Sequence, residues 1–289
     1  MTKYKLCFAI LAFLCLADAG LWAQKTRHYY IQAEDVIWDF APSNQNLVHG
    51  GAIPEPWTNS HVFPMVRYIQ YTDASFSTPK PQPSWLGILG PIIRAEVGDE
   101  VVVLFRNRAF KAGGNYGMHP HGFRYTKDNE GAHYIPAGAG AEVPPGGQFE
   151  YHWFADEDSG PGLGDPSSLV WWYHSHVNEP QETNLGLLGP IIITRRGMAR
   201  ADGSPRDVNR EFVTAFFIFN ELNGEEPGLM HSINGYIFGN LRGLDEQWRQ
   251  STLVPSRDGQ RSRSPHPALA RENGQGWPTS NRCGRIVAG

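Results

Sequence analysis

Two octapeptides, Leu86-Gly87-Ile88-Leu89-Gly90-Pro91-Ile92-Ile93 and Leu185-Gly186-Leu187-Leu188-Gly189-Pro190-Ile191-Ile192, differ at one position and stand about a hundred residues apart. Each leads through Gly-Pro into a β-branched run, and proline cannot donate to a ladder or continue a helix. Such a repeat marks equivalent corners of one β-sandwich. The composition agrees with this reading. Gly at 32, Pro at 22 and only 19% charged residues favour strands and turns, while 40% hydrophobic and 12% aromatic content supplies a sizeable core. The expected class is all-β, and 289 residues allow one large domain or two of ordinary size.

Strand signals follow along the chain. The run 28–40 (HYYIQAEDVIWDF) opens as a strand and 66–71 continues. Residues 92–96 and 100–106, separated by Gly98-Asp99, read as a hairpin. Residues 149–154 and 169–176 alternate as strands around Pro/Gly loops at 136–147 and 160–165. A charged, Gly-containing stretch at 197–210 reads as a linker, after which 212–219 and 232–244 open a second domain. From 245 to 289 Arg, Ser, Pro and Gly dominate without periodicity, which predicts disorder. The expected organisation is a signal at 1–23, a first domain at 24–197, the start of a second at 210–244, and a tail at 245–289.

Lys3 and Lys5, an apolar run from Leu6 to Leu16, and small residues around Ala17-Asp18-Ala19 or Ala23 have the layout of a secretory signal. That run is too short to span a bilayer, so a secreted or extracellular location, or a periplasmic one in a bacterium, is expected, with no membrane span. Of three cysteines, Cys7 and Cys15 fall in the signal and Cys283 in the tail, which excludes a cysteine-ligated metal or thiol nucleophile from the body. Residues 24–244 carry sixteen Lys/Arg against twenty-four Asp/Glu. An acidic body argues against nucleic acid as a partner.

The chemistry sits in two short runs, Met118-His119-Pro120-His121-Gly122 and Trp172-Tyr173-His174-Ser175-His176. Residues i and i+2 of an extended strand project from one face, so each His-x-His pair offers two imidazoles together. The four account for a large share of the eleven histidines. With no cysteine or carboxylate adjoining them, they suit zinc, copper, iron or nickel rather than calcium or magnesium. Two pairs hold more donors than one zinc ion needs, which favours a multinuclear site. Gly122 permits close backbone approach beside it. His28, His49, His61, His133, His152 and His231 have no companion at ligand spacing and read as structural or surface residues, and Trp171, Trp172 and Tyr173 read as packing. A mononuclear zinc enzyme is disfavoured because no HExxH motif occurs.

These runs, with HYYIQAEDVIWDFAP, YIQYTDASF, WLGILGPIIRAEVGDEVVVLFRN and SINGYIFGNLRGL, resemble the ceruloplasmin and hephaestin branch of the multicopper oxidases, and also the A domains of related clotting factors, over 28–244. The resemblance implies a Greek-key cupredoxin-like β-sandwich. It implies copper as cofactor, with His119 a ligand of a type 2 ion and His121, His174 and His176 ligands of a type 3 pair. It implies oxidation of ferrous iron, a phenol or an aromatic amine, as in a ferroxidase or laccase, coupled to reduction of O2 to water. The departures matter equally. The family's second-half motifs, including a His-Cys-His run, are absent, so a half-site without a type 1 copper is expected. The cysteines that vertebrate members place before the second histidine pair and after the second Gly-Pro repeat are replaced by Asp165-Pro166-Ser167-Ser168 and Ile193-Thr194-Arg195, and the family's acidic calcium loop is not recognisable in 130–147. Likeness stops at Leu244, which predicts a truncated or out-of-frame product, or a short isoform. Two functions follow: an oxidase half that needs a second histidine bank, supplied for example by self-association through the copper face, or a non-catalytic secreted copper-binding or interaction module.

Overall fold

β-Branched and aromatic residues make β1 (Thr26–Asp39) the longest strand, and it pairs antiparallel with β2 (Val62–Tyr71) and parallel with β4 (Glu100–Arg108). Strand β6 (Gln148–Phe154) adds to β4, giving a four-stranded sheet ordered β2-β1-β4-β6. A second sheet is ordered β3-β8-β7-β5, from β3 (Ile93–Glu96), β8 (Leu188–Thr194), β7 (Ser168–His174) and the two-residue β5 (His119–Pro120). The computed structural model describes residues 24–221 and 229–241; the expected signal at 1–23, the tail at 245–289 and the end of the 210–244 segment lie outside them.

The core lies between the two sheets. Ile31, Ala33, Val66, Tyr68, Val101, Val103, Phe105, Tyr151 and Trp153 from one meet Ile93, Ala95, Tyr173, Ile191 and Ile193 from the other. This is the expected cupredoxin-like β-sandwich. All seven residues of β8 are buried, because its alternate residues serve two cores. Ile191 and Ile193 face the sandwich, and Leu188 and Ile192 join Trp85, Leu86, Leu89, Val213 and Ala215 on the outer face.

The repeated octapeptides do lie at equivalent places. Strands β3 and β8 run side by side in parallel, with Ile93 opposite Ile191. Gly90 and Gly189 both press on Tyr173, whose ring and hydroxyl leave no space for a Cβ on either. The Tyr173 hydroxyl donates to the Pro91 carbonyl at 2.8 Å.

One expectation is corrected. Residues 92–96 and 100–106 do not form a hairpin. The Gly98-Asp99 turn closes locally, with the Asp99 N–H donating to the Glu96 carbonyl at 2.8 Å, but β3 joins one sheet and β4 the other. Each strand finds its apolar partners in distant segments, so the turn is a corner of the sandwich.

Beyond 210, the expected strand at 212–219 is ordered as a strand only over β9 (Phe216–Phe219), paired with β10 (Met230–Ile233). This small sheet packs on the first sandwich through Phe219 and Met230, joined by Ile237 just after it, against Phe40, Ile53, Trp57, Met65 and Ile88. Asn234 locks the join: its side-chain amide donates to the carbonyls of Trp85 (2.7 Å) and Val213 (2.8 Å). The one α-helix among the described residues, α1 (Glu179–Asn184), is short, and no described helix is long and apolar enough to cross a membrane.

Candidate metal centre

The two histidine runs meet at the open end of the second sheet. Strand β5 pairs antiparallel with β7 so that His119 lies directly opposite His174. The His121 N–H donates to the Trp172 carbonyl at 2.8 Å, and His176 bridges to Ala132 just beyond the end of β7. All four predicted residues are therefore brought together, although only His119 and His174 lie within strands. Ring centroids of His119 stand 5.1, 5.6 and 5.1 Å from those of His121, His174 and His176. The His121 and His174 rings are 5.2 Å apart, and their Nε2 atoms 3.0 Å.

Backbone oxygens decide which nitrogen each ring presents. His119 Nδ1 lies 2.6 Å from the Glu130 carbonyl and His174 Nδ1 lies 2.9 Å from the Ser175 carbonyl. A carbonyl can only accept, so both Nδ1 atoms carry the proton and both Nε2 atoms present a lone pair. Burial pushes His119 down to about 4 and His174 to about 3, with the neighbouring imidazoles adding to the shift and the backbone hydrogen bonds opposing it. His121 is also lowered, chiefly by burial. These rings are neutral at ordinary pH and ready to ligate without losing a proton from His119 or His174.

A second layer holds the rings in place. Gly117, two residues before His119, has both peptide groups engaged. Its N–H donates to Ser175 Oγ at 3.1 Å and its carbonyl accepts from the Tyr68 hydroxyl at 2.5 Å. The Met118 N–H donates to the Tyr151 hydroxyl, which in turn donates to the Gly140 carbonyl. Gly122 adopts φ 79°, and a Cβ there would enter the Trp171 indole, so the close approach expected at this glycine is made to a packed aromatic ring. Trp171 is anchored through its own N–H to the Ser159 carbonyl at 3.0 Å.

Three further contributors were not read from the sequence. Glu130 acts through its backbone carbonyl. The Tyr134 hydroxyl stands 3.1 Å from His176 Nε2. Glu179, three residues past His176, places Oε2 3.3 Å from His176 Nε2 and Oε1 3.8 Å from His174 Nε2. A carboxylate therefore adjoins the histidines, contrary to the sequence expectation; the first turn of α1 folds it back over them. The i, i+3 spacing from His176 was the available clue.

Among the other histidines, His61 meets Asp39 at 2.8 Å, His133 meets Glu142, and His152 sits between Glu100 (3.0 Å) and Glu150 (3.2 Å). Their side-chain partners are carboxylates.

As a donor set, four imidazoles with two Nε2 lone pairs fixed by backbone carbonyls suit a late first-row ion such as copper. Among the described residues no three or more His, Cys, Asp or Glu side chains are already drawn around one ion position. The donors are arranged instead as pairs.

A family model described as "Multicopper oxidase" matches residues 69–197. Human "Ferroxidase HEPHL1" is 34% identical over 276 residues, covering 81% of this chain and 23% of that protein. Human "Hephaestin" is 33% identical over 78% of the chain and 23% of its own length. Rat "Ceruloplasmin" is 34% identical over 79% of the chain and 25% of its own. The chain thus spans about a quarter of the length of the relatives it matches.

Proposed function

The chain belongs to the multicopper oxidase family, and from that premise we propose that His119, His121, His174 and His176 hold copper, as the first-half ligands of a type 2 and type 3 centre. The observation that carries this is the pairing of His121 and His174 Nε2 at 3.0 Å beside His119, whose own Nε2 is freed by the Glu130 carbonyl. Bound copper would supply one-electron chemistry toward O2. The chain's part is to hold the ions. His119 and His174 present preset lone pairs, and Tyr68, Ser175 and Tyr151 keep the two histidine runs in register. In the ion-free site the His121 Nε2–H donates to His174 Nε2, so for both nitrogens to face copper His121 would carry its proton on Nδ1 instead.

In this reading residues 24–197 are one copper-binding domain, the segment from 210 leads into a second, and the protein acts outside the cell. The reducing substrate is ferrous iron or a phenol or amine. This sequence holds no His-Cys-His run; in this reading a type 1 copper would supply the electrons, and a second histidine bank, including one brought by self-association, would supply the remaining ligands. On its own the chain binds copper and turns over little.

The test is copper stoichiometry after equilibrium dialysis, with electron paramagnetic resonance on the loaded chain. Wild type should retain copper, and His174→Ala should lose most of it. Copper retention equal in both would sink the assignment. Copper-dependent steady-state oxidation of ferrous iron or a phenol by the purified chain would overturn the half-site reading.

A further inference from the structure

Side chains of β2 alternate between the two faces of its sheet. Val66 and Tyr68 enter the core, so Arg67 and Ile69 stand on the outer face of the β2-β1-β4-β6 sheet, away from the sheet that carries β5 and β7. There Arg67, Ile69, Trp38 and Tyr236 line a cleft of about 290 Å³, rimmed by Lys80 and Gln82 from the proline-rich segment that follows β2. Its volume is that of a site for a small molecule.

Arg67 is a charge without a counter-ion. Its residue is partly buried, yet it forms no ion pair with a carboxylate among the described residues. Glu34 lies opposite it in the β1/β2 register, but that carboxylate accepts from Gln32 Nε2 at 2.8 Å and from the Tyr71 hydroxyl. Burial pushes the pKa of Arg67 down, and the opposing influences come from Tyr236 and Tyr173 rather than from an acid. Arg67 Nε and Nη2 both reach the Leu89 carbonyl, at 3.4 and 3.3 Å, an oxygen that already accepts from Gln82 Nε2 at 2.8 Å. The outer fork, formed by Nη1 and the second Nη2 hydrogen, is left without an acceptor among the described residues.

The surroundings of the guanidinium are flat and apolar. It stands 5.8 Å from the Trp38 ring, whose face attracts a cation but does not accept its hydrogens as a carboxylate does. The Trp38 indole N–H is engaged by the Gly235 carbonyl at 2.8 Å, and the Tyr236 ring packs 5.1 Å away. These walls offer ring carbon to whatever occupies the cleft.

We propose that this cleft binds a small organic carboxylate carrying a flat ring. The carboxylate takes the free fork of Arg67 in the bidentate geometry that a guanidinium offers, and Lys80 at the rim adds a second positive charge. The ring lies against Trp38, Tyr236 and Ile69. A bare phosphate ion would match the charge but leave those walls uncovered. The site uses none of the four histidines and no metal, so it does not depend on the copper reading.

The probe is benzoate, titrated calorimetrically into the purified full chain, with benzamide as its uncharged counterpart and inorganic phosphate as a bare oxyanion. Wild type should bind one benzoate saturably, and benzamide and phosphate each about 10-fold more weakly or worse. Arg67→Gln should weaken benzoate about 10- to 100-fold. Arg67→Lys keeps the charge without the fork and should fall between. Arg108→Gln, which removes an exposed arginine outside the cleft, should match wild type. Far-UV circular dichroism checks the fold of each variant, and the comparison of benzoate with benzamide on wild type stands even if Arg67→Gln unfolds. No saturable benzoate binding to wild type, equal binding of benzoate and benzamide, or wild-type affinity in Arg67→Gln overturns the proposal. Phosphate binding as tightly as benzoate overturns the flat-ring carboxylate as the ligand.

Discussion

Ser175 Oγ accepts the backbone N–H of Gly117 at 3.1 Å, and through this bond the middle residue of the second histidine pair holds the strand that carries the first. Ser175 is fully buried between His174 and His176, and its neighbour Tyr68 donates to the carbonyl of the same Gly117. Replacing the serine by alanine leaves a buried N–H without a partner, at a cost of about 1–3 kcal/mol. Ser175→Ala should lower the urea midpoint accordingly and weaken copper retention, although no donor atom is removed. Unchanged copper affinity would show that the register of the two runs does not depend on this bond.

Tyr173 explains why the octapeptide repeats. A Cβ on Gly90 would collide first with the Tyr173 hydroxyl, and one on Gly189 with the ring as well as the hydroxyl. Gly90→Ala should therefore cost about 1–3 kcal/mol by overpacking. In a double-mutant cycle, Tyr173→Phe should recover part of the Gly90→Ala loss and much less of the Gly189→Ala loss. Purely additive losses for Gly90→Ala with Tyr173→Phe would count against this seating.

Stability carries a pH signature away from the four histidines. His152 is raised above its ordinary 6.5, first by hydrogen bonding to Glu100 and with help from Glu150, against partial desolvation. Glu100 is lowered below its ordinary 4.5, first by His152 and also by Thr26. A raised histidine stabilises fully below 6.5 and loses that contribution as pH rises through its folded value; a lowered carboxylate stabilises above 4.5 and loses it as pH falls through its own. The pair contributes most between those values. Because His152 is 44% exposed, the effect is below about 1 kcal/mol. His152→Ala should narrow the denaturation midpoint by more at pH 5.5 than at pH 9, and an equal difference at both would refute the coupling.

Asn234 holds the segment beyond 210 to the first sandwich. It is fully buried at φ 52°, its amide donates to the Trp85 and Val213 carbonyls, and its Oδ1 accepts the Ala215 N–H at 2.7 Å. Asn234→Ala should cost on the order of 3 kcal/mol or more, from lost bonds and from a positive φ that alanine resists. Asn234→Gly relieves only the backbone part, so its loss should be smaller but still large. Equal losses in both would assign the whole effect to the hydrogen bonds.

The sequence alone determined the β class, because Gly-Pro corners and alternating runs exclude long helices. It also identified the four histidines, because His-x-His in extended chain already places two imidazoles on one face. Those are short-range properties, carried by neighbours along the chain. Tertiary structure decided everything that depends on distant segments. It sent β3 and β4 to different sheets although the turn between them reads as a hairpin, because their apolar partners lie far along the chain in β8, β1 and β6. It set His119 opposite His174 and chose their tautomers through the Glu130 and Ser175 carbonyls, which any residue type can provide. It also brought Glu179 onto the histidines. A ligand pattern in sequence lists donors, but only the fold decides which of them face one another.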